Sequence, residues 1–166
     1  MDGYQEFAIG MALMRLEEEL NTLRQLVFSL PSNLSVEELE NLLRKGLILL
    51  QVSSDILSTL NNEKEDTPFL RDINFGVFEA LFITQTLLEK VEKQLPVFWD
   101  QLTVFDEPLL EKLRQVINTL HTVNETQNDE QIKTIDYAEL AYILQDIAKT
   151  LDAVIHQSTN LKKKIL

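Results

Sequence analysis

The chain has 166 residues, no cysteine and a formal net charge of −12 at pH 7. That length fits one domain with a core large enough to need no staples, and the missing cysteines exclude disulfides, thiolate metal sites and a cysteine nucleophile. The charge is spread along the chain, which reads as solvated helix faces and disfavours a phosphate backbone as partner, because such binding replaces counterions with Lys and Arg.

The first helix is expected from about Asp2 to Phe28. Ile9, Leu13, Leu16, Leu20, Leu23, Val27 and Leu30 alternate in steps of four and three, which sets them on one stripe. Pro31-Ser32-Asn33 breaks that pattern. Ser35 and Glu38 form a capping-box pair at the start of the second helix. Its seam runs Leu39, Leu43, Gly46, Leu50, Ser53, Leu57 and Leu60. Leu42, Ile48, Leu49, Val52 and Ile56 widen it, so this helix should be central, with Gly46 and Ser53 as small residues that admit a neighbour's side chain. The polar run Asn61 to Asp66 is a loop.

Thr67-Pro68 opens the third helix, with Thr67 as N-cap and proline where no backbone donor is needed. Pro96 is expected to end or kink it, leaving 96–105 as a short separate helix or the bent end of the same one. The fourth helix begins near Asp106-Glu107-Pro108, with Leu110, Leu113, Ile117 and Leu120 as its stripe. Asn124 to Lys133 reads as a loop. The fifth begins at Asp136, with Glu139 three residues on, and continues its stripe to Ile165. The expected fold is therefore all-α: a single antiparallel up-down bundle of about five helices over residues 1–166, four long plus a short or kinked segment near 96–105.

No apolar run approaches the roughly 20 residues of a membrane span. The acidic start lacks the pattern of a secretory leader, so a cytoplasmic address and no integral membrane segment are expected. Lys162-Lys163-Lys164 complements the C-terminal dipole of the last helix. Only two histidines occur, each with a carboxylate four residues away: His121 with Glu125 and His156 with Asp152. Asn118 and Ala153 stand where a di-iron bundle has the glutamate of its Glu-x-x-His motif, so neither a metal nor another cofactor is expected.

Arg114 and His121, seven apart, resemble the Arg-to-His spacing of HEPN-type helical ribonucleases. That resemblance implies an RNA-cutting enzyme with both residues in one cleft. It covers eight residues, and Gln115 stands where that family usually has a polar residue such as Asn.

Two aromatic groups are the candidate binding residues. Phe75, Phe78 and Phe82 share one face of the third helix and form a candidate groove. Phe98, Trp99, Leu102 and Phe105 follow the proline break and form a candidate partner-binding cluster, with tryptophan as anchor. The function expected is a non-enzymatic protein–protein interaction module, such as an adaptor, regulator, chaperone or inhibitor, working through a helical face. Its partner would be another protein, with a basic one favoured by the charge, or a second copy that completes the bundle. The alternatives are the HEPN-like ribonuclease and a carrier of small apolar ligands.

Overall fold

The structure is a computed structural model that describes residues 2–31, 34–60, 67–102, 107–127 and 136–165. The described residues form five helices: α1 (Gly3–Phe28), α2 (Val36–Thr59), α3 (Pro68–Leu102), α4 (Glu107–Gln127) and α5 (Tyr137–Ile165). At 1.5 Å per residue they run about 30 to 50 Å.

Short polar side chains start most of them. Asp2 accepts from the Gln5 amide at 2.7 Å while the Gln5 side chain returns to the Asp2 amide, a capping box. Ser35 accepts from the Glu38 amide, Thr67 from that of Leu70 and Asp136 from that of Glu139. Each satisfies a backbone donor that the helix itself cannot.

α3 passes through Pro96 to Leu102, so the segment after the proline is the end of α3 and not a separate helix. Proline deletes one backbone bond, to the carbonyl of Glu92, and the ladder resumes beyond it. α4 also runs further than expected, to Gln127. Asn124 belongs to this helix and donates to Gln85 of α3 at 2.7 Å, which ties the last turns of α4 down.

α2, α3, α4 and α5 close a four-membered ring, each packing on the next and α5 returning to α2. α1 lies outside the ring, against α2 and α3. Leu13 and Gly76, Val27 and Lys90, and Pro31 and Gln94 meet at a constant offset of 63 residues, so α1 and α3 run parallel. α4 runs antiparallel to α3: Gln85 meets His121, whereas the later Glu92 meets the earlier Arg114. All five helices feed one apolar cluster. The expected α1 stripe is buried at Ile9, Leu16, Leu20, Leu23 and Val27, with Leu13 and Leu30 packed at its edge. No described helix is long and apolar enough to cross a membrane.

Candidate functional site

Among the described residues α1 packs mainly on α2 and α3, and the side of it away from them faces outward. Its C-terminal half is pinned by polar contacts. Arg24 pairs with Glu79, and Lys90 donates to the Val27 carbonyl and lies 5.7 Å over the Phe28 ring. Gln94 donates to the Pro31 carbonyl at 2.9 Å and accepts from the Leu34 amide, which ties both Pro31 and Leu34 to α3.

The N-terminal half of α1 differs. Opposite its core stripe it carries Tyr4, Phe7, Met11 and Met14, spaced three, four and three apart. All are more than half exposed, from 54% at Met11 to 83% at Tyr4. A helix apolar on two opposite faces is built to be covered on both. The sequence contains this second stripe at helical spacing. It is hidden in a reading that assigns each helix one seam, because it lies among the residues between the core positions.

α3 continues the surface. Phe75 is 74% and Phe82 55% exposed, whereas Phe78 is half-buried against the core. All three phenylalanines lie on α3 at that spacing, with Phe75 and Phe82 exposed as an outer ridge and Phe78 packed at the edge of the core. The ridge joins the α1 stripe. Leu13 sits over Gly76, where any Cβ would come within 2.8 Å of its Cδ1. Met14 is one step past Leu13, and Phe75 is one step before Gly76. In parallel helices those two steps turn out of the seam in the same direction, so Met14 and Phe75 emerge side by side. Phe7 and Phe82, each seven residues from one of them, extend the surface along both helices. Glu6, Glu17, Glu18 and Asp72 are exposed around it.

A family model described as "Uncharacterized protein" matches residues 9–166. The chain belongs to that family. No curated protein and no solved structure matches it. The family region takes in α2 to α5 and α1 from Ile9 onward, so Met11, Met14, Phe75 and Phe82 lie inside it, and Tyr4 and Phe7 precede it.

The second expected cluster is placed less fully. Phe98, Trp99 and Leu102 fall on the last turns of α3 with side chains outside the described residues, and Phe105 lies outside them altogether.

Arg114 and His121 lie on the edge of α4 that meets α3. Arg114 Nε donates to Glu92 Oε1 at 2.8 Å. His121 Nδ1 is 3.1 Å from Gln85 Nε2, and its Nε2 is 3.0 Å from Glu125 Oε1. The Gln85 amide nitrogen can only donate, so Nδ1 accepts and the neutral ring carries its proton on Nε2, facing Glu125. Gln85, almost fully buried, also meets Glu89 at 2.9 Å and accepts from Asn124. The strip joins two helices, and both members of the Arg–His pair are held by carboxylates. His156 caps back onto its own helix, 2.9 Å from the Asp152 carbonyl. Among the described residues no three His, Asp or Glu side chains gather as metal ligands. A recess of about 240 Å³ between α2 and α5 is lined by Gln51, Ser54, Asp55, Gln145, Lys149 and their neighbours, not by the α3 phenylalanines.

Proposed function

We propose that the chain is a non-enzymatic protein–protein interaction module that works through the outer face of α1 and α3. One observation carries this reading: Phe7, Met11, Met14, Phe75 and Phe82 are all more than half exposed, and helix geometry brings Met14 and Phe75 out together at the seam where Leu13 meets Gly76. Single exposed apolar residues are ordinary, but a contiguous patch of aromatics and methionines with a polar rim is the composition of a binding surface. Methionine adapts to varied partners, and phenylalanine offers large rigid contact area. Around the patch the exposed carboxylates Glu6, Glu17, Glu18 and Asp72 outnumber the exposed Arg15 and Arg71, which favours a partner that brings basic residues to its edge.

The test is affinity capture with the full chain and with a Phe75→Ser, Phe82→Ser variant. Both positions are exposed, so thermal stability should change little, within about 0.5 kcal/mol. A stoichiometric partner held by the parent and lost by the variant is the expected result. A partner retained equally by both would remove this face from the mechanism.

A further inference from the structure

We infer that the N-terminal stripe of α1 pairs with the same stripe of a second copy, the two helices antiparallel across a two-fold axis level with Ile9. The inference rests on the reading of this face as a binding surface, and it names the occupant of the α1 half.

The spacing is the first argument. Positions 4, 7, 11 and 14 are symmetric about 9, so reversing the helix exchanges 4 with 14 and 7 with 11. An antiparallel pair therefore sets Tyr4 against the second copy's Met14 and Phe7 against its Met11, at both ends alike. A two-fold interface demands this self-complementarity, because each residue meets its counterpart's partner twice. The steps of three and four are those of a helix–helix seam.

The residues beside the axis are small. Ala8 and Gly10 flank Ile9, and a methyl group on Gly10 would meet nothing within 4 Å. Glycine inside a helix is a standing penalty that the fold of one copy does not explain here, since no neighbour approaches it. Ala8 and Gly10 lie on the two flanks of the stripe, where small residues leave room for the second copy's side chains beside Phe7 and Met11.

Charge selects the orientation. Glu17, Glu18 and Glu19 follow the stripe directly. In a parallel pair the two acidic runs would face each other. In the antiparallel pair each run lies at the N-terminal end of the other α1, where the helix dipole favours negative charge. The runs are then about 27 Å apart, well beyond the roughly 8 Å over which salt screens exposed charges.

The area sets the strength. An aromatic side chain offers on the order of 150 to 250 Å². Two aromatics and two methionines, each more than half exposed, give on the order of 500 Å² per copy and about 1,000 Å² for the pair. That is at the lower limit for a specific interface, so the dimer should be a reversible one.

Analytical ultracentrifugation of the full chain over a range of concentrations reads the mass directly. The expected result is a rise from 19.2 kDa towards twice that value, abolished in a Phe7→Glu, Met11→Glu variant whose thermal melt matches the parent. Because the chain has no cysteine, orientation can be read by oxidative cross-linking. A Tyr4→Cys, Met14→Cys variant should form covalent dimer, and either single substitution should not. A parent that stays monomeric throughout, a dimer untouched by the Phe7 and Met11 changes, or single-cysteine variants that cross-link as well as the double would each overturn the pairing. The capture experiment with Phe75 and Phe82 is independent of it. Partner loss there beside a monomeric parent here would sink the pairing alone, whereas the reverse would leave self-association as the use of the face.

Discussion

Ser53 and Ser54 are neighbours in α2, both buried, with different fates. Ser54 Oγ donates to the Ala141 carbonyl of α5 at 3.2 Å. Ser53 Oγ has no hydrogen-bond partner among the described residues. A buried hydroxyl without a partner keeps the whole loss of its hydration, about 1 to 3 kcal/mol, whereas a satisfied one contributes about 1 kcal/mol net. Ser53→Ala should therefore stabilise the protein by about 1 kcal/mol, and Ser54→Ala should destabilise it by a similar amount. Urea unfolding of the two variants checks the opposite signs. Two shifts of the same sign would mean that the two hydroxyls are in equivalent surroundings. The sequence marks Ser53 as a small seam residue, and it is buried in α2 as that reading requires. What periodicity cannot supply is the partner of a hydroxyl, because that depends on which backbone atom of another helix passes it.

At the scale of the element, the seams were legible and their neighbours were not. Gly46 and Gly76 are both buried helical glycines, and each faces another helix at a different distance. A Cβ at Gly46 would meet Leu87, Thr84 and Leu88 at 3.6 to 3.7 Å, ordinary contact, while one at Gly76 would meet Leu13 at 2.8 Å. Alanine gains about 1 kcal/mol over glycine in a helix interior. Gly46→Ala should keep that gain, worth about 2 to 4 °C in a domain of this size. Gly76→Ala should lose most or all of it, since the Leu13 side chain must move aside and α1 rests on α3 at this point. Thermal melts of the pair decide it, and equal rises would show that Leu13 is not seated on Gly76. The reading of α3 depended on the same limit. Pro96 announces an interruption, but one missing donor in a helix of 35 residues is outweighed by the turns on either side. α1 shows the converse. Its core stripe is plain in the sequence, and its second stripe becomes visible as a surface only once α1 is placed outside the ring.

Over the whole molecule, the question is whether α1 is an appendage or part of the fold. Apolar spacing predicted a helical bundle, and the polar runs, caps and breaks placed most of the helix ends. The order of helices round the ring, and the position of α1 outside it, depend on how five seams of similar composition share their contacts, which no single helix encodes. The burial of α1 answers the question physically. Ile9, Leu16, Leu20, Leu23 and Val27 are each at most 2% exposed, and burying a side chain of this kind contributes about 1.5 to 3 kcal/mol. Five of them give roughly 7 to 15 kcal/mol before the entropy of ordering the helix, comparable with the 5 to 15 kcal/mol of net stability of a typical domain. The matching faces of α2 and α3 would be bared by its removal. A chain lacking residues 1–30 should therefore fail to give a cooperative thermal transition and should bind a hydrophobic dye, while the full chain melts in one step. A truncated chain that kept a sharp transition near the parent's temperature would make α1 a detachable strap, free to leave the ring. In the integrated case the exposed stripe of Tyr4, Phe7, Met11 and Met14 is held rigid from behind by the core stripe of the same helix. A partner, or a second copy, then meets a preformed surface and loses little to ordering it.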